Sequence, residues 1–219
     1  MAAVNEWIVR EYFEFHGFFV MQPRKYQVPG RAKTAEEEID LIICRPNQSE
    51  QRLPDRLVWT GADLGGVARA VVGVRGWHTE RFSATTFEQA PDILRFAEAD
   101  VVRRAEKRFG ADRVAKVLCL PQLPATPELR DKALAFLKER GVDGVLPFRT
   151  LLQELIRMID VNRNYEKSDV LQVVRVFKAY GLLTPDAQMD LFERKKRGGR
   201  AKPRRKTIPE PGVEPGQGD

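Results

Sequence analysis

Residues 70–76, Ala-Val-Val-Gly-Val-Arg-Gly, and residues 39–44, Ile-Asp-Leu-Ile-Ile-Cys, are the stretches that decide the fold. Both are short, rich in β-branched side chains and followed by glycine or proline, which is typical of strands. Each carries one charged side chain, Arg75 or Asp40, although strands are poor in such residues. The sequence therefore predicts two core strands in which a cation and an anion need partners.

Outward from these strands, helix and strand signals alternate. A helix is predicted over 4–15, a strand over 18–21 and a short strand over 57–59. Further along, the patterns predict helices over 87–109, 126–141, 148–159 and 169–180, and strands over 114–120 and 142–146. An early break of the helix over 87–109, with Pro91 near its first turn, is the alternative to one continuous helix. This order predicts an α/β fold with a mixed central β-sheet flanked by helices. We divide the chain into an α/β domain (1–147), a helical extension (148–193) and a tail predicted to be disordered (194–219).

Composition limits the class of protein. The chain has 219 residues, 42% hydrophobic and 31% charged, and no apolar run approaches the ~20 residues of a membrane span. Its first residues lack the pattern of a secretion signal. Two cysteines, Cys44 and Cys119, exclude a disulfide framework and argue against a cysteine zinc site. We expect a soluble cytoplasmic protein without a membrane partner, with association with the nucleoid as an alternative.

The net charge of +6 comes from the carboxyl-terminal tail, so that the remainder is neutral overall. Nine cations without an acid are predicted to bind the phosphates of nucleic acid, as Arg194, Lys195, Lys196, Arg197, Arg200, Lys202, Arg204, Arg205 and Lys206. The run has no aromatic residue for base stacking, so we expect no sequence preference. A second contact with nucleic acid is predicted for Arg24, Lys25 and Lys33. A solubilising or targeting tail is the alternative.

Three residues are candidates for chemistry. Glu11 falls inside the predicted apolar stripe of the first helix (Val4, Trp7, Ile8, Tyr12 and Phe15), so it either pairs with an arginine or water, or faces a polar site. Asp40 shares a strand face with Glu38, and the two acids either bind a hard divalent cation or lie in a solvated turn. Arg75 needs an anion, which is Asp40 or Glu11 in the free protein or a phosphate in a complex.

Four segments of the sequence carry a resemblance to a known family: the helix with Glu11, the Gly17-Phe18 strand, Glu38-Ile39-Asp40-Leu41-Ile42 and residues 71–76. Together they resemble the PD-(D/E)xK nuclease superfamily, which has the restriction-endonuclease-like fold. They are most similar to its archaeal Holliday-junction-resolvase-like and YraN-like branches, over roughly residues 4–120. The resemblance implies that residues 1–147 form a nuclease-like domain with Glu11, Asp40 and Arg75 as catalytic residues. It also implies that Asp40 and the backbone carbonyl of Val74 bind Mg²⁺ or Mn²⁺.

The sequence departs from the superfamily at two positions. Gly73 stands where the family has an acid, and Arg75 stands where it has a lysine. An arginine stays protonated and cannot accept a proton from water. We therefore expect a nucleic-acid-binding protein, with DNA a better partner than RNA, whose cleavage is slow or absent. Two alternatives stay open: a working Mg²⁺ or Mn²⁺ nuclease with relocated acids (Asp63, Glu80, Glu88 or Asp92), and a non-enzymatic interaction module that uses the helices of residues 148–180.

Overall fold

The computed structural model describes residues 2–24, 38–111 and 113–183. Five strands form the centre: β1 (Phe19–Met21), β2 (Leu41–Cys44), β3 (Arg69–Val74), β4 (Ala115–Leu120) and β5 (Gly144–Pro147). Six helices surround them: α1 (Ala2–Phe15), α2 (Ala84–Gln89), α3 (Ala99–Phe109), α4 (Pro127–Glu139), α5 (Phe148–Met158) and α6 (Asp169–Ala179). Two 3-10 helices, Gly61–Gly66 and Pro91–Ala97, complete the described elements.

The strands form one sheet in the order β1-β2-β3-β4-β5. β1, β2 and β3 pair antiparallel, with Leu41 opposite Val72. β3, β4 and β5 pair parallel, with Val72 opposite Val117. The predicted α/β fold with a mixed sheet is confirmed. The strand predicted over 57–59 is reduced to one bridge, between Val58 and Val145.

Each face of the sheet has its own hydrophobic core. On one face, helices α1, α5 and α6 cover the side chains of Leu41, Ile43 and Val72. On the other face, α2, α3, α4 and the 3-10 helix Pro91–Ala97 cover Ile42 and Val71. Because side chains alternate along a strand, Asp40, Gly73 and Arg75 belong to this second face.

Helix α1 is confirmed, and its predicted apolar stripe is correct in part: Tyr12 is buried, and Ile8 and Phe15 pack against the core. Val4 and Trp7 are about half exposed, at 54% and 48%. The residues buried on this helix are Tyr12, which was predicted, and Asn5, Glu6, Val9 and Phe13, which were not. The helix is therefore turned by about a third of a turn from the predicted orientation. The reason is that Val9 and Phe13 pack on the sheet while Asn5 and Glu6 find polar partners at its edge.

The helix predicted over residues 87–109 is three helices in the structure. It divides into α2, the 3-10 helix Pro91–Ala97 and α3, because Pro91 cannot donate a backbone hydrogen bond within a continuing helix. The 3-10 helix lies across β3 and carries Ile93 and Phe96 to the sheet. Among the described residues, no helix combines the length and the hydropathy that crossing a bilayer requires.

Candidate functional site

The candidate site lies at the sheet edge where β3 ends and β2 begins. The two strands run antiparallel, so the first residues of β2 lie beside the last residues of β3. β1 also ends here, since Met21 pairs with Ile42. The parallel strands β4 and β5 run in the direction of β3 and end at the same edge. Residues just outside three consecutive strands are therefore brought together.

Asp40 and Arg75 form a buried ion pair at this edge. Asp40 is 5% exposed, and its Oδ2 accepts hydrogen bonds from Nη1 of Arg75 at 2.7 Å and from the backbone N–H of Val74 at 2.6 Å. Arg75 also donates from Nε and Nη2 to the carbonyl of Ile93, at 3.1 and 2.6 Å. We call these four residues the edge cluster. Its charges are buried because each is hydrogen-bonded to the other and to the backbone.

The backbone carbonyl of Val74, which the nuclease resemblance implies as a metal ligand, accepts a hydrogen bond from Nη1 of Arg75 at 2.9 Å. The same guanidinium therefore contacts both of the implied ligands, Asp40 and Val74. In the described part of the chain, no three His, Cys, Asp or Glu side chains come together as a metal site. Mg²⁺ is usually held by one or two carboxylates and keeps several waters. At this edge the oxygens of Asp40 and Val74 both accept hydrogen bonds from Arg75.

Gly73 is closed off by an aromatic ring. A Cβ atom at this position would lie 2.6–2.9 Å from ring carbons of Phe96, which is fully buried. The guanidinium of Arg75 is stacked near the same ring, 5.8 Å from its centroid. Phe96 therefore occupies the space that a side chain at position 73 would need, and the glycine is explained by packing.

Glu11 is not brought to this edge cluster. It is half-buried on α1 and lines a groove with Trp7, Arg10 and residues 167–170 at the start of α6. Helix α1 covers the face of the sheet opposite to that of Arg75 and Phe96. The structure therefore brings together two of the three predicted catalytic residues, Asp40 and Arg75, and places Glu11 elsewhere.

The buried acid of helix α1 is Glu6, which the sequence analysis missed. Glu6 is 6% exposed and accepts a hydrogen bond from Nε2 of Gln22, the residue that follows β1. Its neighbour Asn5 bonds through Oδ1 to Nε2 of His78 at 2.8 Å. A usable signal was present, because Glu6, Val9 and Phe13 are spaced by three and four residues and share one helix face.

The four acids considered as replacement ligands have other surroundings. Asp63 accepts hydrogen bonds from Arg56 and Thr60. Burial acts to raise the pKa of Asp63, but these hydrogen bonds lower it below its ordinary value. Asp92 is 86% exposed beside Arg95. Glu80 and Glu88 are exposed.

Glu38, the strand-face neighbour of Asp40, has its own cationic partner. Its carboxylate lies 3.8 Å from Nε of Arg95, and its side chain is 9% exposed. The two acids predicted to share a face therefore each meet an arginine.

Of the predicted nucleic-acid contacts, Arg24 is described and is exposed just after β1. The other predicted contacts lie outside the described residues: Lys25, Lys33, Arg194, Lys195, Lys196, Arg197, Arg200, Lys202, Arg204, Arg205 and Lys206. They remain predictions.

A second polar cluster, which is partly buried, joins the end of α1, α5 and the 3-10 helix Gly61–Gly66 in the loop before β3. Glu154 of α5 accepts a hydrogen bond from the hydroxyl of Tyr12 at 2.5 Å and from the backbone N–H of Gly61 at 3.0 Å. The imidazole of His16 lies 4.0 Å from the same carboxylate and 4.6 Å from the ring of Tyr12. We call Tyr12, His16, Gly61 and Glu154 the helix–loop cluster.

Burial controls titration in the helix–loop cluster. It raises the pKa of Tyr12, and the hydrogen bond to Glu154 raises it further. Burial lowers the pKa of His16, which the cation of Arg45 also lowers while the Glu154 carboxylate opposes the shift. His16 is therefore biased toward the neutral form, and we assign this cluster a structural role that links three segments.

The fold and the candidate site define an α/β protein with a five-stranded mixed sheet and a buried ion pair at one edge. Comparisons of the chain with protein-family models, with curated proteins and with solved structures give no match.

Proposed function

We propose that this protein binds nucleic acid, DNA in preference to RNA, and does not cleave it. The observation that carries the proposal is the ion pair between Asp40 and Arg75, which joins the two charged residues of the implied nuclease motif to each other. The missing acid at Gly73, where Phe96 fills the space, supports the same conclusion. Binding then rests on the cationic tail and on Arg24.

The nature of the contact follows from the charges. Cations that neutralise phosphates release condensed counterions, so the affinity falls steeply as salt increases. A run of nine cations without aromatic residues has no means to stack on bases. The proposed binding is therefore electrostatic and independent of sequence. DNA is preferred on the strength of the nuclease-like pattern, which implies a double-stranded or branched substrate.

The test of binding uses fluorescence anisotropy with the full-length protein on duplex, four-way-branched and single-stranded DNA and on duplex RNA, across a salt series. A tail variant replaces Arg194, Lys195, Lys196, Arg197 and Arg200 with glutamine. We expect it to bind DNA at least about tenfold more weakly at low salt and to lower the salt slope by about four. Absence of DNA binding by the wild type at low salt would reject the proposal.

The matched control removes the same number of cations from the folded domain. Arg104, Lys107, Arg130, Lys132 and Lys138 are exposed on α3 and α4. Their replacement with glutamine changes the net charge equally, and we expect the affinity for DNA to change by less than about threefold. An equal loss in both variants would mean that total charge, and not the tail, determines binding.

A separate assay tests the absence of cleavage. Supercoiled plasmid and branched DNA are incubated with the wild type and with Asp40→Asn in Mg²⁺ and then in Mn²⁺. We expect no product above the level of the variant. Metal-dependent cleavage by the wild type that is lost in Asp40→Asn would instead establish an active nuclease, and the ion pair would have to open on binding.

A further inference from the structure

A short apolar group of residues lies in the carboxyl-terminal part of the chain, outside the described residues. The compact unit that contains the sheet ends at Pro185. Residues 188–192 then read Gln-Met-Asp-Leu-Phe. Between Asp186 and Lys206, the large apolar side chains are Met189, Leu191 and Phe192, and they fall within four consecutive residues. This grouping needs an explanation, because the sequence around it is charged and polar.

The order of side chains in 188–192 is that of a docking peptide. A glutamine amide both donates and accepts hydrogen bonds, so it fixes the register of a bound peptide. The adjacent Leu191 and Phe192 offer two apolar anchors that can fill a hydrophobic cleft, the usual source of affinity in such contacts. Peptides with a leading glutamine, an acidic or small middle residue and a final leucine–phenylalanine pair are the type that binds the cleft of ring-shaped sliding clamps on DNA.

We propose that Gln188–Phe192 docks this protein onto a DNA-encircling sliding clamp. The position of the segment suits this role, because it begins three residues beyond the compact unit that ends at Pro185. The cationic run suits it as well. Arg194 follows Phe192 by two residues, which is at most about 7 Å of extended chain, so cations next to a docked peptide lie near the DNA that the ring encloses. The proposal does not depend on the state of the sheet edge.

A competing partner for the peptide lies within the chain. The outer face of α6 and the residues after it are apolar and exposed: Val173 (50%), Val176 (38%), Phe177 (44%), Tyr180 (80%) and Leu182 (70%). An intramolecular contact of Leu191 and Phe192 with this face would stabilise the free protein. It would therefore reveal itself as a loss of thermal stability when the two anchors are removed.

The experiment measures binding of the full-length protein to the DNA-free ring of a bacterial sliding clamp by isothermal titration calorimetry. About 0.3 M salt is used, so that the cationic run contributes little. We expect Leu191→Ala/Phe192→Ala and Gln188→Ala to weaken binding at least about tenfold. The matched control, Ile208→Ala/Val213→Ala, removes apolar side chains from the same tail and is expected to bind the ring within about twofold of wild type.

Two outcomes would overturn the proposal. The first is that the wild type does not bind the ring, or that the anchor variant and the control bind it equally well. The second is that Leu191→Ala/Phe192→Ala lowers the melting temperature of the free protein and leaves ring binding unchanged, which would place the peptide on α6. Because no DNA is present, failure here would leave the DNA-binding proposal intact, and failure of DNA binding would leave this one intact.

Discussion

The edge cluster is largely buried and the helix–loop cluster is partly buried, and the two balance charge in different ways. In the edge cluster, the carboxylate of Asp40 meets the guanidinium of Arg75 at 2.7 Å. In the helix–loop cluster, the carboxylate of Glu154 is held by neutral donors, the hydroxyl of Tyr12 and the N–H of Gly61. In the edge cluster a cation neutralises the carboxylate, whereas in the helix–loop cluster the carboxylate keeps its negative charge and is stabilised by hydrogen bonds.

This difference bears on which cluster could act on a ligand. Glu154 connects three segments that are far apart in sequence, so holding the tertiary structure together is a sufficient role for it. Asp40 and Arg75 flank the neighbouring strands β2 and β3, and the backbone N–H of Val74 in β3 also donates to the Asp40 carboxylate. An incoming phosphate or cation would have to displace one member of the pair. The edge cluster is therefore the one whose disruption would leave two charged groups to be satisfied anew.

The largest effect is expected from Arg75→Met, which removes the cation that the buried Asp40 carboxylate meets at 2.7 Å. We expect the free energy of unfolding, measured by urea denaturation, to fall by about 3–5 kcal/mol. In the double variant with Asp40→Asn, the cost should be clearly less than the sum of the two single costs, because both changes act on the same ion pair.

Arg95→Met is the matched control for that experiment. Arg95 is 47% exposed and lies 3.8 Å from Glu38, so its pair is partly solvated. We expect a cost of no more than about 1 kcal/mol. Similar costs for Arg75→Met and Arg95→Met would mean that the edge cluster is not a specially buried pair, and the comparison between the clusters would fail.

Tyr12→Phe probes the neutral donors of the helix–loop cluster. It removes a 2.5 Å hydrogen bond to the Glu154 carboxylate from a fully buried side chain. We expect a loss of about 1.5–3 kcal/mol in urea denaturation, because hydrogen bonds to charged groups are the stronger ones. Tyr165→Phe removes a hydroxyl that accepts only from the backbone N–H of Asp160 at an exposed site, and should cost at most about 1 kcal/mol. Equal losses would contradict a special role for Glu154.

Gly73→Ala tests whether packing against Phe96 explains the missing acid. The added methyl group would press on the ring, and we expect a loss of about 1–3 kcal/mol in urea denaturation. Gly65→Ala is the control, since a Cβ at Gly65 would meet nothing within 4 Å. In a Phe96→Ala background, Gly73→Ala should become nearly neutral. A full cost in that background would show that something other than the ring excludes side chains at position 73.

The sheet could be predicted because its strands are marked locally. The β-branched runs around Ile43 and Val72 and the glycines and prolines that end them fixed the order of elements, and the structure confirms the mixed sheet. The pairing of Arg75 with an acid could also be expected, since a cation on a core strand needs an anion. Which acid would serve could not be decided, because strand register and helix rotation are set by packing across long sequence separations.

Helix α1 shows why the rest was missed. Trp7 and Val4 look like core residues by composition, yet they are about half exposed, while Asn5 and Glu6 are buried. A prediction from hydrophobicity places polar residues at the surface, although a polar residue can be buried when it has hydrogen-bond partners. Glu6 has such a partner in Gln22, and Asn5 has one in His78. The role of Phe96 was likewise hidden, because a ring 23 positions after Gly73 in sequence meets it only in the folded chain.

The smallest effect expected is a pH dependence that arises from the helix–loop cluster. Burial lowers the pKa of His16 below its ordinary value of 6.5, so the unfolded chain binds a proton at this residue more readily than the folded chain does. Stability should therefore be full above pH 6.5 and should decline as the pH falls from there toward the folded-state pKa of His16. The urea midpoint measured between about pH 5 and 7.5 reports this slope.

His16→Gln isolates the contribution, because the second histidine, His78, is retained in both proteins. We expect the variant to show a flatter dependence of the midpoint on pH below 6.5. Glu154→Gln should have the opposite effect, since the carboxylate favours the protonated imidazole and its removal lowers the pKa of His16 further. Parallel curves for wild type and His16→Gln would mean that His16 is solvated like an unfolded residue. The helix–loop cluster would then not be a closed site, and its contrast with the edge cluster would rest on hydrogen bonds alone.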